Sequence, residues 1–140
     1  MVSEMRVRVL VGGLSFFAVA MMAAVAPLVA QAHSPNLQKP CTIRGTAGPD
    51  FLAGTSGPDV ICGRGGDDTI SGGGGNDIIR GGGGSDRLQG DAGKDVVMGQ
   101  GGDDWIWVRD WTHDHALGGK GYDRYRKDPR DVVRGIEAAM

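Results

Sequence analysis

From Gly45 onward one apolar side chain returns about every nine residues: Leu52, Ile61, Ile70, Ile79, Leu88, Val97, Ile106, Ala116 and Tyr125. More polar residues flank each of them. Alternate residues of a strand face opposite ways, so a lone apolar residue at this spacing predicts a very short strand with one inward side chain. Between these strands lie glycine-rich segments, each ending in Asp. Cut at Gly45, the chain reads GTAGPDFLA, GTSGPDVIC, GRGGDDTIS, GGGGNDIIR, GGGGSDRLQ, GDAGKDVVM and GQGGDDWIW. Val108 reads as a one-residue insertion. RDWTHDHAL follows as a degenerate copy, and GGKGYDRYR restores the pattern.

Read by column, the repeat separates into distinct physical roles. Position six is Asp in every copy: Asp50, Asp59, Asp68, Asp77, Asp86, Asp95, Asp104, Asp114 and Asp123. Positions one and four are Gly in all copies but the degenerate one. Such a composition alone suits a flexible linker, but a linker has no reason to keep Asp and an aliphatic at fixed offsets. Glycines at one and four are expected to take positive φ in a tight turn and to leave carbonyl oxygens bare. Asp adds a hard oxygen donor at the turn's exit. Carbonyls plus carboxylates suit Ca²⁺ better than softer metals.

The columns resemble the RTX (hemolysin-type) calcium-binding nonapeptide, G-G-x-G-x-D-x-U-x. The resemblance covers residues 45–126. It implies an all-β fold, a parallel β-roll (a right-handed β-solenoid) of about nine nonapeptide repeats, two to a coil. It also implies Ca²⁺ between stacked turns, with ligand pairs two repeats apart: Asp50 with Asp68, Asp59 with Asp77, Asp68 with Asp86, Asp77 with Asp95, and Asp86 with Asp104. Across the insertion Asp95 pairs with Asp114 and Asp104 with Asp123. The implied metal set is these aspartates other than Asp114, together with Gly63, Gly65, Gly72, Gly74, Gly81, Gly83, Gly99 and Gly101. RDWTHDHAL lacks both glycines, which puts a site at Asp114 in doubt. The first two copies carry Thr46 and Thr55 at position two and Pro49 and Pro58 at position five, and are expected to form a calcium-poor cap.

The ends read differently. Arg6 and Arg8 precede an apolar run from Val9 to Ala30, and Ala30-Gln31-Ala32 offers small residues for cleavage before His33. Residues 1–32 are therefore expected to be a signal peptide, with an uncleaved anchor as the alternative. Residues 33–44 and 127–140 are expected to cap the roll, with Ile43 in phase to start one ladder and Val132, Val133 and Ile136 as apolar cover. The expected location is secreted or extracellular. In an exported chain the two cysteines, Cys41 and Cys62, suggest a disulfide; free thiols or metal ligands are the alternative.

The formal net charge is −2. No basic stripe recommends nucleic acid as a partner, and calcium ions are the partner the repeat implies. Large apolar residues are few for an ordinary core, so calcium binding is expected to supply folding energy. Trp105 and Trp107 flank the inward Ile106 and should point outward. With Trp111 they offer either a surface for a glycan or protein partner or a face for the C-terminal cap. His113 and His115 could share one face of a strand around a metal, but no third ligand cluster accompanies them. No P-loop, G-x-G-x-x-G, G-x-S-x-G or H-E-x-x-H occurs, so no enzyme is expected. A monomer is expected, with end-to-end stacking of open coils as a route to assembly.

Overall fold

The computed structural model describes residues 38–135. The expected signal peptide and Ile136 lie outside the described residues. Eleven strands and no helix make up the described chain: β1 (Ile43–Arg44), β2 (Phe51–Ala53), β3 (Val60–Gly65), β4 (Thr69–Ser71), β5 (Ile78–Gly83), β6 (Arg87–Gln89), β7 (Val96–Gly101), β8 (Trp105–Val108), β9 (His115–Lys120), β10 (Arg124–Lys127) and β11 (Val132–Arg134). Odd strands form one parallel sheet in the order β1-β3-β5-β7-β9-β11; even strands form the other, β10-β8-β6-β4-β2. The chain thus alternates between two sheets and climbs one rung per pair of repeats. This is the expected all-β parallel solenoid, of about five turns.

Register follows the nonapeptide. Ile61 lies beside Ile79 and Ile79 beside Val97 in one sheet. Ile70 lies beside Leu88 and Leu88 beside Ile106 in the other. These residues, with Ala116, form a single buried core, against which Ile43, Leu52, Tyr125 and Val133 pack at its margins. A one-residue slip would turn the whole apolar column outward, so the pairing is strongly specified. Val108 is also buried in this core. It sits in the same cluster as Ala116, the smallest member of the column.

The count of about nine repeats needs correction: the ladders hold eleven rungs. At the start, Ile43 pairs with Ile61 as β1. At the end, Val133 pairs with Ala116 as β11. Asp131-Val132-Val133 spells the same triplet as Asp95-Val96-Val97, but a shortened spacing hides it from a strict nine-residue frame.

The outer faces of the two sheets differ. On the six-stranded sheet Val60, Ile78 and Val96, with Met98, make a second apolar cluster. The five-stranded sheet carries polar, cationic and aromatic residues instead. Cys41 and Cys62 form a disulfide with their Cα atoms 6.0 Å apart. It ties the segment before β1 to β3, the next strand in the sheet.

Candidate metal centre

Each position-six Asp stands where a turn enters a strand, so the aspartates stack along the two edges of the roll. One ladder holds Asp50, Asp68, Asp86, Asp104 and Asp123; the other holds Asp59, Asp77, Asp95, Asp114 and Asp131. Within each, an Asp backbone N–H donates to Oδ1 of the Asp one coil further on. The distance is 2.8 Å for Asp50 to Asp68, Asp59 to Asp77, Asp68 to Asp86 and Asp95 to Asp114. It is 2.9 Å for Asp77 to Asp95 and Asp86 to Asp104, 3.0 Å for Asp104 to Asp123, and 3.2 Å for Asp114 to Asp131. The structure therefore brings together every pair named from the repeat.

The second carboxylate oxygen decides the chemistry. Oδ2 of Asp68, Asp77, Asp86, Asp95, Asp104, Asp114 and Asp123 is buried and has no hydrogen-bond partner. Leaving a buried carboxylate oxygen unpaired is costly, and a row of them calls for compensating positive charge. Burial pushes these carboxyls upward: Asp68, Asp77 and Asp114 rise above the ordinary value, Asp86 reaches about 6, and Asp95 and Asp104 reach about 7. Repulsion from neighbouring carboxylates adds to the rise, and the N–H bonds to Oδ1 oppose it.

The first two copies show the contrasting solution. Thr46 donates its N–H to Asp50 Oδ2 at 2.6 Å and its hydroxyl at 3.0 Å. Thr55 does the same for Asp59 Oδ2, at 2.7 and 2.8 Å. The Thr55 N–H, then its hydroxyl, hold the Asp59 carboxyl below its usual value. Protein donors thus satisfy in these turns the oxygen that is bare in the later ones. Asp50 and Asp59 stand in the ladders without that vacancy of hydrogen bonding.

The glycine columns act otherwise than expected. Positive φ falls at positions two and four, for example Gly82 (122°) and Gly84 (119°), and position one is absent from that set. Position one needs glycine for space. A Cβ on Gly63 would stand 2.5 Å from the Gly81 carbonyl oxygen of the next coil, and one on Gly99 would stand 2.6 Å from that of Gly118. A Cβ on Gly90 would stand 2.6 Å from Asp95 Oδ2. A backbone carbonyl of the next coil and the unpartnered carboxylate oxygen thus border the same small space. At position three a Cβ would meet nothing within 4 Å at Gly83, and nothing nearer than 3.6 Å at Gly74, 3.7 Å at Gly65 or 3.7 Å at Gly101.

The donor set fits a hard divalent cation. Its oxygens are carboxylate and carbonyl, and among the described residues no cation forms an ion pair with Asp68, Asp77, Asp86, Asp95 or Asp104. Among the described residues no group of three or more His, Cys, Asp or Glu side chains converges as a metal site. A site here would draw most of its oxygens from backbone carbonyls such as those of Gly81 and Gly118, which border position one. His113 and His115 are exposed, and His113 Nδ1 lies 3.0 Å from the Arg130 carbonyl oxygen.

Asp114, read in the position-six column and paired with Asp95 but left out of the metal set, occupies its ladder although its turn lacks both glycines. There Thr112 donates its hydroxyl to the Gly93 carbonyl at 2.6 Å and to Asp110 Oδ1 at 2.7 Å. Other contributors escaped the columns. Asp131 ends the same ladder; its DVV triplet was the available signal. At position five Asp67, Asn76 and Asp103 accept from the N–H of Ser85, Lys94 and Tyr122 in the next coil. Polar residues in that column were readable as a second, weaker ladder.

The RTX calcium-binding nonapeptide repeat (4 copies) family model matches residues 44–79 and 80–108. No curated protein and no solved structure matches the chain. The matched residues span β1 to β8 and most of both Asp ladders. By its repeat and its solenoid, residues 44–108 of this chain carry RTX calcium-binding nonapeptide repeats.

Proposed function

We propose that this chain is an exported calcium-binding protein whose roll orders when Ca²⁺ enters the turns. The carrying observation is the row of buried Oδ2 atoms without partners, set against the Thr-satisfied Asp50 and Asp59. Asp68, Asp77, Asp86, Asp95, Asp104 and Asp123 would hold the ion, with backbone carbonyls from Gly63, Gly65, Gly72, Gly74, Gly81, Gly83, Gly99 and Gly101. The ion supplies positive charge that offsets carboxylate repulsion between coils. The chain's own contribution is to stack the oxygens: the N–H···Oδ1 bonds orient each carboxylate and the aliphatic column sets the rung spacing.

Without the ion, the single-file core has to overcome carboxylate repulsion and the entropy of a glycine-rich chain. Binding energy then becomes folding energy. Extracellular calcium modules bind at about 10⁻⁴ to 10⁻³ M, a range that would leave the chain loose in a low-calcium cytoplasm and ordered after export. The role is structural and metal-binding rather than catalytic. Circular dichroism and calorimetry of the purified chain, with millimolar Ca²⁺ and with EGTA, test it. Strand signal and heat of binding should appear together on adding Ca²⁺ at pH 8; a compact fold in EGTA at that pH, or no heat at millimolar Ca²⁺, rules the proposal out.

A further inference from the structure

We propose that the outer face of the five-stranded sheet binds a carboxylate-bearing polysaccharide. Ile106 points into the core, which turns Trp105 and Trp107 of β8 to the outside. Register then fixes their neighbours. Trp105 lies between Arg87 of β6 and Arg124 of β10, and Trp107 between Gln89 and Arg126. The Arg124 guanidinium stands 4.9 Å from the Trp105 ring centroid, and the two indoles are 5.7 Å apart. No carboxylate among the described residues forms an ion pair with Arg87, Arg124 or Arg126. In a chain of net charge −2, these guanidinium groups make a local cationic face.

The chemistry favours a sugar acid. Indole faces stack on the apolar faces of pyranose rings, and a planar guanidinium grips a carboxylate with two parallel hydrogen bonds. Beside Trp107 a cleft is lined by Gln89, Asp91, Arg109, Asp110 and Arg126. Its amide and carboxylates accept bonds from sugar hydroxyls. The ligand is a polymer rather than a single sugar, because the column holding Trp105 runs on through Arg87 and Thr69 to Phe51, which is 89% exposed. Phe51 and Trp105 are three rungs apart, about 14 Å at the usual strand spacing. The other sheet shows Val60, Ile78 and Val96 in the matching column, so the arrangement is not a by-product of the repeat.

The surface exists only in the folded roll, so this inference rests on the calcium reading for its conditions. Each binding measurement is therefore made in millimolar Ca²⁺ on protein shown by circular dichroism to be folded. Tryptophan fluorescence and calorimetry would compare carboxymethyl-dextran with unmodified dextran of equal length, and with oligo-dT. We expect carboxymethyl-dextran to bind at least tenfold more tightly than either. Trp107→Ala should weaken that binding at least tenfold. So should the double change Arg87→Glu with Arg124→Glu, which alters only exposed side chains and leaves the fold readout unchanged. Equal binding to plain dextran, tighter binding to oligo-dT, or no binding by folded protein would overturn the proposal. Failure to fold in Ca²⁺ would overturn the calcium reading instead.

Discussion

Glycine meets different demands at different places within one nine-residue word, and substitution separates them. At Gly63 a Cβ would meet the Gly81 carbonyl oxygen at 2.5 Å, and backbone cannot swing aside as a side chain can. Gly63→Ala should destabilise the calcium-loaded roll by about 1–3 kcal/mol, measured by urea unfolding. Gly83 has open space and no positive φ. Gly83→Ala should be neutral or stabilising by about 0.4–1 kcal/mol, through the unfolded chain. An equal loss at both positions would show that crowding at position one is not what selects glycine. Asp95 offers a second test. Asn there keeps an oxygen for the Asp77 N–H and removes the buried charge. Asp95→Asn should raise the Ca²⁺ midpoint roughly tenfold, about 1.4 kcal/mol, while making the calcium-free chain easier to fold.

The elements at the two ends are stabilised by different means than the middle. The first turns close on Thr46 and Thr55, and the disulfide joins Cys41 to β3 across a separation of 21 residues. Reduction should cost about 3 kcal/mol on the chain-entropy model, read from the urea midpoint with and without reductant. Thr55→Ala removes one hydroxyl bond to Asp59 and keeps the N–H bond. It should cost about 1 kcal/mol and leave the number of bound ions unchanged by calorimetry. A lost ion would mean that Asp59 is a ligand after all. At the far end Tyr125 enters the core column, and burial, with the nearby Asp123 charge, pushes its hydroxyl up to about 12. The phenol therefore stays neutral where the roll closes.

For the whole molecule, the two ladders couple folding, protons and calcium. Asp95 and Asp104 titrate near 7 and Asp86 near 6 in the metal-free fold, against about 3.9 in an unfolded chain. A raised carboxyl binds protons more tightly in the fold. Its contribution is fully present below about pH 4 and is lost as pH rises through 6 to 7. In EGTA, strand signal should therefore increase as pH falls from 8 to 4. With Ca²⁺ the direction reverses, because protons compete for the same oxygens. The calcium midpoint should rise as pH drops from 8 to 5, followed by circular dichroism. A midpoint that does not move with pH would show that the buried carboxylates take no part in binding.

The nine-residue word determined the fold class, the strand positions and the stacking of Asp on Asp, because each follows from local period and from residues whose roles are set by size and charge. Asp68 could be paired with Asp86 on paper because one coil is two repeats long. Three things needed the assembled roll. Whether Asp Oδ2 is bare or satisfied depends on the position-two donor, and Thr46 and Thr55 differ from Arg64 or Gly82 only once the turn is formed. The glycine at position one is required by the Asp Oδ2 of its own repeat and, at Gly63, by a carbonyl eighteen residues away, so part of its reason lies in the neighbouring coil. The rung at Val133, and the Arg–Trp–Arg column on the outer sheet, arise from lateral register, whereas Ile43 was already in phase with Ile61 along the chain. Stacking turns sequence neighbours into distant faces and distant residues into contacts, and a column read along the chain contains no account of what lies beside it.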